Sequence, residues 1–272
     1  MKTAVTISLV TEARGGPFVF WDGLADGCAH AARLGFDAVE IFPPGPEALP
    51  PGEIRDLLDR HGLALAAVGT GAGWVKHKLR LTDPDAGIRA RAREFAASLI
   101  AAAATLGAPA IIGSMQGRCD PGVTRAQVLD WLGEGLRELG KRAADQGQPL
   151  FFEPLNRYES DVFSRQGDAA QFLGEQTGDN VKVLADLFHM NIEERSLAEA
   201  LRALGPRLGH VHWADTNRQA VGNGHLDPAP LMAALRAIGY AGYLSAEVLP
   251  LPDSLAAARQ SGESMRRWIN ES

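Results

Sequence analysis

The amino-acid sequence predicts an α/β protein, a single (β/α)8 barrel of the TIM type over residues 1–272. Short apolar runs alternate with longer amphipathic segments along the whole chain, giving eight strand–helix pairs. At roughly 30 residues per pair, the count fits a barrel of about 250 residues. No Gly-x-Gly-x-x-Gly opens the first helix, which removes the main reason to prefer a doubly wound dinucleotide fold.

Residues 5–9 alternate with period two and read as the first strand; residues 21–34 read as a helix ended by Gly35. Residues 38–41 form a second strand, stopped by Pro43 and Pro44. A short helix over 53–60 closes at Gly62, and residues 63–68 form a third strand. Thr82-Asp83-Pro84-Asp85 is a helix start with a capping side chain and an early proline, and that helix runs to about Leu106. Strand four covers 110–112, followed by a long helix over 124–146. Strand five covers 150–153, with a helix over 166–177. Strand six covers 181–184 and ends in Ala185-Asp186, with a helix over 196–204. Strand seven covers 208–213; Asp227-Pro228 then opens a helix running to Ile238. Strand eight covers 243–248, and a helix over 254–269 follows it.

The chain is 46% hydrophobic and 22% charged, enough to build a core and too apolar for global disorder. A net charge of −6 argues against a nucleic-acid partner. Cys28 and Cys119 are far apart and lack a Cys-x-x-Cys spacing, so two free thiols in a reducing compartment are expected. No signal-peptide pattern precedes the first strand, and the longest alanine-rich run, residues 96–106, is far below membrane-spanning length. The expectation is a soluble, cytoplasmic protein with no membrane partner.

Active sites of this barrel lie at the carboxyl ends of the strands. Strand five ends on Glu153, and a dense polar loop reaches from there to Glu159. Strand six ends on Asp186, followed by His189. Strand seven carries His212, then Asp215 and Arg218; strand eight carries Glu247. Glu153, Asp186, His212 and Glu247 are spaced by about one barrel unit each, so four consecutive strands bring one ligand apiece to one rim. Any one of them alone reads as a surface charge, a cap partner or a core histidine. Together they form a hard, three-carboxylate set suited to Mn2+, Mg2+ or Co2+. Without a cation, three carboxylates in one pocket would repel. Neighbouring strands feed alternating layers, so the four need unequal strand lengths to meet.

His210 shares the face of His212 one layer deeper, and a supporting or core role is expected. His225 sits in a glycine-rich loop. Arg89, Arg91 and Arg93 read as a solvated helix start, and Trp74 and the 115–118 loop fall at the barrel mouth.

Four stretches resemble the ketose 3-epimerases, which include the D-tagatose and D-psicose 3-epimerases of the xylose isomerase-like superfamily. They are Glu153-Pro154-Leu155-Asn156-Arg157-Tyr158-Glu159, the run from Ala185 to Glu194, the run from His210 to Arg218, and Ser245-Ala246-Glu247. With Gly69-Thr70-Gly71, Ile111-Ile112-Gly113, Gly224-His225-Leu226-Asp227 and Leu249-Pro250-Leu251-Pro252, they look closest to the 5-keto-L-gluconate epimerase branch. The resemblance implies that Glu153, Asp186, His212 and Glu247 hold one divalent metal, Mn2+ foremost. It implies that Glu159, His189 and Arg218 contact a sugar near O1 and O2, and that the protein forms homodimers or homotetramers. Leu187 departs from the family's small polar residue after the aspartate, which puts local hydrogen bonding there in question.

The chemistry expected is inversion of C3 of a ketose or keto-sugar acid through a cis-enediolate. Glu153 and Glu247 would act as acid and base on opposite faces. A 1,2-aldose–ketose isomerase of the hydroxypyruvate or xylose isomerase type is the alternative on the same barrel. A DNA-repair phosphodiesterase would need more histidine ligands and a basic groove, which this chain lacks.

Overall fold

The structure, a computed structural model, describes residues 1–271. Eight parallel strands close into a barrel in sequence order: β1 (Lys2–Ser8), β2 (Ala38–Phe42), β3 (Ala64–Gly69), β4 (Ala110–Ile112), β5 (Leu150–Phe152), β6 (Val181–Asp186), β7 (Leu208–His212) and β8 (Tyr243–Ala246). The helices are α1 (Leu24–Arg33), α2 (Pro51–His61), α3 (Ala72–Val75), α4 (Ala86–Thr105), α5 (Arg125–Ala144), α6 (Gln166–Gln176), α7 (Leu187–Glu193), α8 (Leu197–Leu204), α9 (Pro228–Ala237) and α10 (Ser254–Asn270). Most strand residues are buried on both faces, as a parallel sheet jacketed by helices requires.

The capping chemistry read from the sequence sets the helix starts. Asp85 accepts from the amides of Gly87 and Ile88, Thr124 and Gln127 form a capping box, and Asp227 accepts from Ala229. The first helix begins at Leu24, three residues later than expected, because Phe20 forms a bridge beside Ile7 and Gly23 takes a positive φ of 100°. Strands five, seven and eight stop one or two residues short of expectation, and β1 starts three residues earlier. Two short helices, α3 and α7, lie in stretches the apolar pattern left as loop. Each spans seven residues or fewer, too little for a helical period to show.

Two register shifts decide which side chains face the barrel axis. Val183 pairs with Leu208 but Leu184 pairs with His210, so Gly209 is an extra residue in β7. The shift brings Asp186 level with His212; without it Asp186 would lie beside Val211 and the histidines would be out of phase. A Cβ at Gly209 would stand 2.5 Å from the Phe151 ring, so only glycine fits. A matching shift in β2–β3 skips Ala66 and sets Glu40 level with Ala67. Ala67, Ile111, Phe151 and Leu184 pack together as an apolar floor inside the barrel. Among the described residues, no helix is long and apolar enough to cross a membrane.

Candidate active site

The four predicted ligands meet above that floor. Asp186 and His212 are the last residues of their strands, and Glu153 and Glu247 each lie one residue past theirs. His212 pairs in register with Ser245, two residues before Glu247, so Glu247 reaches the cluster from just past the end of β8. His212 Nδ1 lies 3.2 Å from Glu153 Oε1, 3.5 Å from Asp186 Oδ2 and 3.6 Å from Glu247 Oε2. Asp186 also caps α7: its Oδ1 accepts from the amides of Phe188 (2.8 Å) and His189 (3.4 Å), which leaves Oδ2 facing the other ligands. Leu187, the departure from the family pattern, is fully buried, and the backbone supplies the hydrogen bonds there. Gly113 makes room for Glu153, whose Oε2 would stand 2.5 Å from a Cβ at that position.

Glu40 was missing from the sequence-predicted set. Its Oε2 pairs with His210 Nε2 at 2.8 Å, and its Oε1 with His212 Nε2 at 3.3 Å. The signal was present: a lone carboxylate inside the apolar run Ala38-Val39-Glu40-Ile41-Phe42 is costly to bury without partners. His210 has the deeper, supporting position expected of it, stacked 5.5 Å from the Phe151 ring.

The three predicted sugar-contacting residues gather on one side of the cluster. His189 Nε2 is 3.7 Å from Asp186 Oδ2 and 4.0 Å from Glu153 Oε1, and its Nδ1 is 2.7 Å from Asn156 Nδ2. Asn156 also donates to Glu159 Oε1 at 3.1 Å. Arg157 grips Glu193 with Nε and Nη2, both at 2.9 Å, so the loop after β5 is tied down at successive residues. Arg218 donates to Glu247 Oε2 at 2.9 Å and to Glu159 Oε1 at 3.1 Å. Its backbone sits at φ 59°, an uncommon conformation for a residue with a side chain. Asp215 fixes this turn, accepting from the amides of Thr216, Gly222 and Leu226 at 2.7–3.0 Å. His225 lies in the same loop, outside the cluster, with its amide donating to Thr216 Oγ1. Arg89 and Arg93 are not simply solvated: Arg89 lies 4.2 Å over Trp131, and Arg93 reaches Glu138 at 3.0 Å.

A cavity of about 300 Å3 opens over the cluster. The far wall is aromatic and small: Phe18 stacks on Phe42 at 4.7 Å, and Phe42 fills the space that side chains at Gly69 and Gly71 would take.

Charge is concentrated here. Burial pushes the Glu247 carboxyl up to about 8, reinforced by Glu153 and Asp186 and opposed by His212 and Arg218. Burial acts the same way on Asp186, but His189, His212 and Arg218 hold it well below the usual carboxylate range. Burial opposes the imidazolium of His212, yet Glu40 and Glu247 raise it well above its ordinary value. Glu153 Oε1, Asp186 Oδ2 and His212 Nδ1 are buried with no hydrogen-bond partner. With a Glu247 oxygen they lie within 4.8 Å of one another. A divalent cation about 2.0–2.6 Å from each ligand fits that spacing and resolves the repulsion.

Residues 28–270 match the model of the xylose isomerase-like TIM barrel family. The chain belongs to that family. It is 32% identical over 240 residues to the D-psicose 3-epimerase of Agrobacterium fabrum, covering 85% of this chain and 78% of the relative. It is 39% identical over 140 residues to the 3-dehydro-D-guloside 4-epimerase of Escherichia coli, covering 50% of this chain and 53% of that one. The crystal structure of the D-allulose 3-epimerase from Methylomonas sp. superposes with a TM-score of 0.80 at 26% identity, covering 98% of both chains. The family resemblance read from the sequence therefore holds, and these relatives are carbohydrate epimerases, a class of isomerase.

Proposed function

We propose that this chain is a divalent-metal-dependent isomerase, a carbohydrate epimerase that inverts C3 of a ketose or keto-sugar acid. The observation that carries the reading is the convergence of the unpartnered buried atoms of Glu153, Asp186 and His212 with Glu247, the two glutamates arriving from the ends of β5 and β8. A proton alpha to a ketone is too weakly acidic to leave unaided. Glu153, Asp186, His212 and Glu247 would hold a divalent cation, Mn2+ with Co2+ or Mg2+ as alternatives, which would supply the positive charge that proton removal next to a ketone needs.

Glu153 and Glu247 flank the sugar plane in this reading. One takes the C3 proton from one face, the other delivers a proton to the opposite face, and the roles exchange in the reverse direction. Asp186 and His212 would complete the ligand set, His212 by giving up its Nδ1 proton as the cation binds. Glu159 and His189 orient the C1–C2 end of the sugar. Arg218 stabilises the developing charge on O2 while its bond to Glu247 fixes that carboxylate. The site sits in one catalytic domain over residues 1–272, and the unpaired Cys28 and Cys119 fit a cytoplasmic enzyme.

The guloside 4-epimerase relative favours a second reading, in which the ketone is at C3 and the inverted carbon is C4. The same proton chemistry then acts one carbon along. Incubation of the Mn2+-loaded protein in D2O with free ketoses, keto acids and 3-keto glycosides separates these cases. Deuterium at C3 of a ketose is the expected result, and deuterium at C4 of a 3-keto glycoside supports the second reading. Label at C1 marks a 1,2-isomerase, and no incorporation with any compound overturns the assignment.

A further inference from the structure

The loop after β5 turns on Asn156, a buried residue with every polar atom engaged. Its carbonyl accepts from the amides of Glu159 at 2.9 Å and Ser160 at 3.0 Å. Its side-chain Oδ1 accepts from the amide of Tyr158 at 2.9 Å, and its Nδ2 donates to Glu159 Oε1 at 3.1 Å. A backbone N–H only donates and a carboxylate accepts, so these two bonds fix which end of the side-chain amide is nitrogen.

The remaining hydrogen on Nδ2 is left for His189 Nδ1, 2.7 Å away. The backbone N–H of Asn156 donates to the same ring nitrogen at 3.3 Å. Two donors on one nitrogen leave it no place for a hydrogen of its own. A hydrogen on Nδ1 would also miss Glu159 Oε1, which is 3.8 Å away and beyond hydrogen-bond reach. The ring hydrogen therefore belongs on Nε2.

Nε2 faces the ligand cluster. It lies 3.7 Å from Asp186 Oδ2 and 4.0 Å from Glu153 Oε1, and it is buried without a hydrogen-bond partner among the described residues. His189 lines the cavity over the cluster, so that unspent hydrogen is available to whatever the cavity holds.

We infer that Asn156 is a positioning residue: it fixes the His189 tautomer with the hydrogen on Nε2, so the ring meets the sugar as a hydrogen-bond donor and not as a base. The same amide braces Glu159, so one side chain sets both groups that orient the C1–C2 end. This inference rests on the epimerase reading and says how its sugar-orienting histidine works.

Long-range proton–nitrogen NMR on the full chain, with ring-15N histidine and bound Mg2+, reads the hydrogen on each ring nitrogen directly. His189→Gln identifies the His189 signals among the seven histidines. Wild-type protein is expected to show a bare Nδ1 and a hydrogen on Nε2. Asn156→Asp keeps the side-chain size but sets a carboxylate against Nδ1, and it should draw the hydrogen there. In the Mn2+-loaded enzyme that variant should cut kcat for C3 deuterium exchange by about 10²-fold, the scale of one lost donor to a developing oxyanion. Asn156→Ser keeps the backbone donor and sets no carboxylate against Nδ1, so it should retain the wild-type tautomer and more activity than Asn156→Asp. A hydrogen on Nδ1 of wild-type protein, alone or together with one on Nε2, overturns the inference and leaves the epimerase reading standing. An unmoved tautomer in Asn156→Asp, or a moved one with exchange undiminished, overturns it equally. The expected tautomers without exchange of any sugar support the positioning role and count instead against the epimerase reading.

Discussion

The carboxylate of Glu40 on β2 reaches across the barrel interior to Nε2 of His212 on β7, 3.3 Å away. It thereby aims Nδ1 at Glu153, Asp186 and Glu247. A histidine held by a carboxylate on its far nitrogen keeps one tautomer and one orientation, and loss of such a partner weakens metal affinity about 10–100-fold. Glu40→Gln should therefore lower Mn2+ affinity by that factor in calorimetric titration while the fold persists. Wild-type affinity in this variant would remove Glu40 from the site.

A Cβ at Gly113, in the loop after β4, would stand 2.5 Å from Glu153 Oε2. A methyl group there collides with Glu153 Oε2, and the carboxylate is the group free to move. Gly113→Ala should reduce metal affinity and exchange activity together, with thermal stability changed by about 1–3 kcal/mol at most. Retention of full metal affinity would show that Glu153 can be held in another rotamer.

Glu153 and Glu247 are assigned the proton transfers. Glu153→Gln and Glu247→Gln should each slow C3–H exchange by about 10²–10⁴-fold, with sugar binding partly kept. Metal content measured on the same samples separates lost proton transfer from lost cation. Substantial exchange in both metal-loaded variants would sink the assignment.

Asp215 organises the turn that carries Arg218. Burial raises its pKa, but the backbone amides of Leu226, Gly222, Thr216 and Gly224 outweigh burial and hold it below the usual carboxylate range. A depressed folded pKa contributes stability that is fully present above the unfolded value, about 3.9, and is lost as pH falls through the folded value. Wild-type melting temperature should therefore drop below about pH 4. Asp215→Asn should lose about 1–3 kcal/mol at neutral pH and show a shallower acid limb. Coincident acid limbs for the two proteins would exclude Asp215 as the source.

Much of this was legible in the sequence, because each of the four cluster positions closes a strand and each strand has its own apolar run. The proposed sugar-contacting roles of Glu159, His189 and Arg218 came only through family resemblance, since loop residues carry no periodicity. Glu40 escaped because a single charge in a strand does not reveal its partners. His210 and His212 lie far along the chain, and only barrel closure and the shift at Gly209 bring them to it.

The inner cavity is assembled unevenly from the two halves of the barrel. Strands one to four and their loops give Phe18, Phe42, Gly69, Gly71 and Ser114, which supply contour, whereas strands five to eight give the charged groups. Glu40 is a buried exception, a charged anchor planted in the contour half, and Glu12 and Arg14 after β1 are exposed ones at the rim. Such a division would let mutation explore new substrates in one half while the proposed proton-transfer groups in the other stay unchanged. A lineage built on this plan can acquire new sugars by remodelling four loops, provided it leaves one glutamate of the second strand alone.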